Sequence, residues 1–268
     1  MSAQNKKTIK SILKLKQDGI PISMLTAYDY TFASIIDAAG IDIILVGDSV
    51  SNVFSGNETT IPVTLNEMIY HAKAVIKAVQ NALVIVDMPF GSYQISIDKA
   101  LENAIELFKT TGVQAIKLEG GKEIAPTIKK IVDTGIPVMG HLGLTPQSIH
   151  QLGSYEVQAK SAEGQQLLLE NAICLEEAGC FSIVLEKVPA IISQKISEKL
   201  SIPIIGIGAG NGCDGQVLVM HDMLGLNPNF NPKFVRKYAD LHAIIITAVR
   251  NYIIDITTKE FPNLKESF

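Results

Sequence analysis

Short apolar runs alternate with amphipathic stretches along this chain. Eight runs stand out: Ile22–Asp29, Ile41–Asp48, Ala82–Asp87, Val113–Glu119, Ile136–His141, Phe181–Glu186, Ile202–Gly210 and Gln216–Asp222. Each is rich in Ile and Val and apolar throughout its body, the pattern of a parallel strand covered on both faces. Most end on a polar or charged residue. The segments between them read as helices, and Gly40, Gly112, Gly135 and Gly179 each stand where a helix closes before the next run. Glycine accepts the left-handed conformation that commonly ends a helix. Pro21, Pro137 and Pro203 open strands, where a missing N–H costs the ladder least. Thr64 and Glu67 form a capping box, and Ser96 or Asp98 is placed to cap a helix through Phe108.

Strand, helix, glycine, strand, repeated without a break, predicts right-handed βα units. Eight in one series predict the α/β class and a closed (β/α)8 TIM barrel, with an open doubly wound sheet as the structural competitor. Residues 1–268 are expected to form a single domain. A short N-terminal helix carries Ile9, Ile12 and Leu13 on one face. A C-terminal helical tail between Phe234 and Phe261 is expected to pack outside the barrel or against another subunit. Residues 49–64 and 142–160 exceed what a connection needs, and both follow strand C-termini, where barrel enzymes place their sites.

Composition narrows the class. With 47% hydrophobic and 19% charged residues the chain has material for a large core, unlike a disordered chain. Its net charge of −4 and the lack of a basic stripe argue against a nucleic-acid partner. The lysines near the start lack the apolar stretch of a secretory signal, and no segment reaches the roughly 20 apolar residues of a membrane span. Cys174, Cys180 and Cys213 have no metal-ligand spacing and fit a reducing compartment. A cytoplasmic protein is expected.

The candidate chemistry lies at the strand ends. Asp48, Asp87 and Glu119 hold matching positions on successive strands. Three carboxylates converging on a barrel mouth repel unless a cation joins them, and oxygen-only ligands suit a hard ion such as Mg²⁺. Lys117, two residues before Glu119, faces the same side and is placed to neutralise an anionic substrate. Glu186 ends an apolar run that disfavours its charged form, as suits a general base. His141 has no second histidine at ligand spacing and is expected as a hydrogen-bonding residue of the pocket. Gly206–Gly210 has the make-up of a phosphate-cradling loop, which tight strand-to-loop packing explains equally well. Taken singly, the acids also fit plainer roles: Asp48 as a helix cap, Glu119 paired with Lys117 or Lys122, Glu186 paired with Lys187.

Several strings together resemble one family. They are Met24-Leu25-Thr26-Ala27-Tyr28-Asp29, Val46-Gly47-Asp48-Ser49, Asp87-Met88-Pro89-Phe90-Gly91-Ser92-Tyr93 and Lys117-Leu118-Glu119-Gly120-Gly121. Gly140-His141-Leu142-Gly143-Leu144-Thr145-Pro146-Gln147, Leu185-Glu186 and Gly206-Ile207-Gly208-Ala209-Gly210 with Asp214-Gly215-Gln216 complete the set. In this order, over about residues 10 to 260, they resemble the ketopantoate hydroxymethyltransferases, enzymes of pantothenate biosynthesis. The resemblance implies a homodecamer of (β/α)8 barrels, with Asp48, Asp87 and Glu119 as carboxylates of a Mg²⁺ site. It further implies that Ser49 and Lys117 contact the keto acid 3-methyl-2-oxobutanoate, with Asp48, Asp87 and His141 also lining its site. Glu186 would accept the proton, and methylenetetrahydrofolate would supply the one-carbon unit that yields 2-dehydropantoate. Two positions depart from the family pattern. Ser51 replaces a usual glycine, and Lys187 stands where a small residue or cysteine is common; an inward-pointing Lys187 ammonium would weaken Glu186 as a base.

Other classes fit less well. Lyases of the phosphoenolpyruvate mutase/isocitrate lyase type use a Lys-Lys-Cys-Gly-His loop that does not occur here. A phosphosugar barrel leaves the three carboxylates unexplained. A non-catalytic scaffold has no use for four acids at strand ends.

Overall fold

The computed structural model describes residues 6–268. Every apolar run supplies one strand: β1 Ile22–Thr26, β2 Ile43–Val46, β3 Leu83–Asp87, β4 Ala115–Glu119, β5 Val138–Gly143, β6 Ser182–Glu186, β7 Ile204–Ile207 and β8 Gly215–Leu218. Neighbours pair in parallel in sequence order, and β8 pairs back with β1, so the sheet closes into a barrel. The open-sheet alternative is excluded. The helices are α1 Ile9–Gln17, α2 Tyr30–Ala38, α3 Val50–Val53, α4 Leu65–Ala78, α5 Ile97–Thr111, α6 Ala125–Val132, α7 Ile149–Leu152, α8 Ala162–Glu177, α9 Ala190–Lys199, α10 Met220–Met223 and α11 Leu241–Thr258.

The helix ends follow the expected chemistry. Gly40, Gly112, Gly135 and Gly179 all take positive φ, between 76° and 99°. Thr64 and Glu67 satisfy each other's backbone N–H groups at the start of α4. Ser96, not Asp98, caps α5, because its hydroxyl accepts from the Lys99 N–H. The connection 49–64 carries α3, and 142–160 carries a 3-10 turn at Pro146–Ser148 followed by α7.

Strand alternation builds the interior. Met24, Leu45, Ile85, Ala115, Met139, Val184, Ile205 and Val217, one from each strand, form a buried apolar cluster that Ile12 of α1 joins. Each Å² of apolar surface removed from water contributes about 25 cal/mol, which makes such a cluster the main stabilising contribution of the barrel. The same period of two decides which polar groups share the interior. Ile85 faces inward, so Asp87 does; Ala115 faces inward, so Lys117 and Glu119 do. Met139 likewise predicts His141, and Val184 predicts Glu186. A layer of charge therefore sits directly above a layer of hydrocarbon, at the C-terminal mouth.

By internal contacts the chain falls into two compact units, the barrel up to Val219 and the segment Met220–Phe268. The second contains α10 and α11, and α11 has no buried residue along its length. No helix among the described residues is long and apolar enough to cross a membrane.

Candidate active site

Strand register sets the geometry of the mouth. Asp87 of β3 lies opposite Lys117 of β4, and Glu119 of β4 opposite His141 of β5. Lys117 Nζ is 2.8 Å from Asp87 Oδ1 and 3.9 Å from Glu119 Oε1, all three side chains being buried. The shorter contact is a buried charge-assisted ion pair. His141 Nδ1 approaches Glu119 Oε1 at 3.2 Å, and its Nε2 lies 3.4 Å from Glu186 Oε2. The network thus runs from Asp87 through Lys117, Glu119 and His141 to Glu186.

Asp48 arrives by another route. It lies past the end of β2, and its own N–H donates to Asp87 Oδ2 at 3.0 Å. Gly47 leaves room for the Ser49 hydroxyl, since a Cβ there would stand 2.8 Å from Ser49 Oγ. Asp48 does not cap the following helix. Its Oδ2 accepts from Gln147 Nε2 at 2.9 Å. Ser49 Oγ pairs with the Tyr28 hydroxyl at 2.8 Å.

Gln147 and Tyr93 are the residues that strand-end reasoning passed over. The Gln147 N–H donates to Glu119 Oε2 at 3.0 Å, while its amide nitrogen serves both Asp48 and the Met88 carbonyl. The Tyr93 hydroxyl donates to Gln147 Oε1 at 2.7 Å and lies 3.1 Å from the Glu119 carbonyl. A glutamine in a loop carries no periodic or charge signal, and its partners Asp48, Met88, Tyr93 and Glu119 become its neighbours only when the barrel closes.

Electrostatics follow from this packing. Burial, then the charges of Glu119 and Asp87, push the Asp48 carboxyl up to about 8. Burial also raises Asp87, although Lys117 opposes it. Glu119 is desolvated as well, yet His141 and Lys117 hold it below the usual carboxylate range. For Lys117, burial works against the ammonium, but Asp87, Glu119 and Asp48 keep it firmly protonated. Desolvation and Lys117 disfavour the His141 imidazolium; Glu119 and Glu186 outweigh them and raise it to about 9. Buried charges persist only when paired, and here two cations offset a concentration of acids.

Glu186 is less enclosed than its apolar run suggests, with a side chain 17% exposed and facing His141. Leu185 takes the opposite, outer face of the strand, so the neighbouring apolar residues do not surround the carboxylate. The Lys187 ammonium does not point inward: it donates to the Tyr155 carbonyl at 2.6 Å. Gly206–Gly210 owes its composition to close packing, because a Cβ on Gly206 would stand 2.9 Å from Cys213 Sγ and one on Gly210 2.4 Å from Ala190 Cβ.

Among the described residues no three Asp, Glu, His or Cys side chains stand together at ligating spacing. Lys117 and Gln147 lie between the carboxylates. The donor set nevertheless suits a hard dication: Asp48, Asp87 and Glu119 offer only oxygen, and all three are buried and converge on one mouth.

A closed (β/α)8 barrel with buried carboxylates, a lysine and a histidine at its C-terminal mouth has the make-up of an enzyme acting on a small anionic substrate. Residues 6–264 match the Ketopantoate hydroxymethyltransferase family, and the chain belongs to that family. A 3-methyl-2-oxobutanoate hydroxymethyltransferase of Flavobacterium johnsoniae is 55% identical over 97% of this chain and 96% of its own length. One of Pelodictyon phaeoclathratiforme is 56% identical, covering 100% and 99%. The fold is similar to phosphonopyruvate hydrolase complexed with oxalate and Mg²⁺ (TM-score 0.61, 14% identity, 97% and 93% coverage). It is also similar to 2,3-dimethylmalate lyase of the PEP mutase/isocitrate lyase superfamily (TM-score 0.62, 14% identity, 98% and 89% coverage).

Proposed function

We propose that this chain transfers a hydroxymethyl group from methylenetetrahydrofolate to 3-methyl-2-oxobutanoate, giving 2-dehydropantoate. Family membership supports the activity, and one observation carries the assignment of residues: Glu186 and the Asp48, Asp87 and Glu119 carboxylates share one barrel mouth, linked through His141 and Gln147. Asp48, Asp87 and Glu119 would hold a divalent cation, for which we favour Mg²⁺. When bound, such an ion supplies Lewis-acid polarisation of the keto oxygen.

The chain's own groups do the rest. Lys117, held by Asp87, offers an ammonium to the substrate carboxylate, and Ser49, steadied by Tyr28, offers a hydroxyl beside it. Glu186 removes the proton from C3 of the keto acid, and that carbon attacks the one-carbon unit that methylenetetrahydrofolate yields on adding water; the water supplies the hydroxyl oxygen, tetrahydrofolate leaves, and the proton held by Glu186 goes to the new alkoxide. His141 fixes the orientation of the Glu186 carboxylate and shields Glu119 from it. Holding the acid-bearing carbon against the base is the positioning contribution, which in well-ordered sites reaches about 7–11 kcal/mol.

The free thiols of Cys174, Cys180 and Cys213 support a cytoplasmic setting. Ile244, Val249, Ile253 and Ile254 of α11 are exposed, a surface that self-association into the decamer typical of the family would cover.

The test is deuterium exchange. In D₂O with Mg²⁺ and no folate, the C3 proton of 3-methyl-2-oxobutanoate should disappear from the NMR spectrum. Glu186→Gln should stop that loss while keeping metal and keto-acid binding. Exchange at the wild-type rate in Glu186→Gln sinks the base assignment, and metal-independent exchange sinks the cation site.

A further inference from the structure

The residue immediately after the proposed base holds an unusual conformation and several contacts. Lys187 has φ of +47°, a left-handed backbone that a non-glycine residue adopts only when its surroundings enforce it. Its N–H donates to the Ile207 carbonyl at the end of β7 at 2.9 Å, and its carbonyl accepts from the Gln158 N–H at 2.8 Å. Its ammonium donates to the Tyr155 carbonyl at 2.6 Å and lies 5.8 Å from the centre of the Tyr155 ring. One residue therefore grips the loop 153–160 at two points and anchors it to the barrel rim.

On the other side, the Glu186 carbonyl accepts from the Leu144 N–H at 2.8 Å. The Tyr155 phenol is pushed up first by burial and then by the negative charge of Glu186.

We infer that Lys187 is a positioning residue of this site: it ties the loop 153–160 to the end of β6 and so holds the strand end that carries Glu186 in place. The inference rests on the reading of Glu186 as the base. The left-handed backbone turns the Lys187 side chain out of the mouth and onto the loop, so its ammonium serves the loop instead of quenching the carboxylate. With the loop tied, the backbone on either side of Glu186 is held at Leu144, Ile207 and Gln158, and the carboxylate is confined. Untied, it samples more orientations, which slows proton removal and leaves binding of the keto acid through Lys117 and the other acids intact.

Lys187→Gly separates this role from a structural one. Glycine adopts φ of +47° at no steric cost, so melting temperature should stay level or rise while the side-chain tie to Tyr155 is lost and the backbone bond to Gln158 remains. Amide hydrogen exchange at Tyr155–Gln158 should quicken about tenfold, and the kcat of C3 deuterium exchange should fall about tenfold. KM for 3-methyl-2-oxobutanoate should stay within about threefold, because ground-state binding is untouched. Lys187→Arg, which keeps a cationic donor, should recover both loop protection and most of kcat. The inference is overturned if the loop loosens with kcat unchanged, if the loop stays protected, or if Lys187→Arg is as impaired as Lys187→Gly. Should Glu186→Gln exchange normally, the base assignment falls first and this inference with it. That outcome is separate from any change in loop protection.

Discussion

Gln147 Nε2 donates to Asp48 Oδ2 over 2.9 Å although 99 residues separate the two in the chain. With its backbone N–H on Glu119 Oε2, this one residue links two of the three carboxylates at the mouth.

Gln147→Leu should therefore damage both the fold and the cation site. It preserves bulk but leaves Asp48 Oδ2 and the Met88 carbonyl short of a partner, a cost of about 1–3 kcal/mol for each. Urea unfolding should show a loss of about 2–6 kcal/mol, the sum for the two groups, and calorimetric titration should show weaker Mg²⁺ binding. Wild-type affinity for Mg²⁺ would mean that Gln147 does not organise the carboxylates.

Lys117→Met removes the ammonium that pairs with Asp87. Breaking a buried pair from one side typically costs about 3–5 kcal/mol, since the remaining charge is uncompensated. In metal-free protein the variant should lose stability on that scale. Added Mg²⁺ should restore more stability to the variant than to the wild type, because a dication compensates the same acids. Equal gains in the two proteins would count against a shared site.

His141 provides a pH signature. Its imidazolium is favoured up to about 9 in the folded chain against an ordinary value of 6.5. A raised folded value contributes stability that is complete below the unfolded value and is lost as pH rises through the folded one. Metal-free protein should thus weaken between these two values as pH increases. Saturating Mg²⁺ should shift the histidine titration downward, since a dication competes for Glu119. An NMR titration of the His141 ring that holds its midpoint on Mg²⁺ addition would contradict this.

Gly143→Ala should be inactive and unstable. The residue sits at φ +92°, and a Cβ there would stand 2.3 Å from the Glu186 carbonyl oxygen. Backbone cannot yield as a flexible side chain can, so β6 must shift and carry Glu186 with it. A variant that folds with normal C3 exchange would show that Glu186 tolerates displacement, against the tight positioning argued above.

The sequence itself disclosed the eight strands, the capping glycines and the layer of acids, because each is a local matter. Strand period fixes which residues share a face, helix closure calls for a left-handed glycine, and a charge at the end of an apolar run is visible without a fold. Ile85 facing inward is enough to place Asp87, and Met139 enough to place His141. The roles of Gln147, Tyr93 and Lys187 could not be reached that way. Gln147 lies in a loop where no period operates, and its partners come from β3, β4 and the end of β2. The direction of the Lys187 ammonium depends on one backbone angle and on a loop about thirty residues earlier in the chain. Such contacts exist only once the barrel closes and brings distant strand ends within hydrogen-bond reach. Local pattern therefore reveals which chemical groups line the mouth, and long-range packing decides which of them meet.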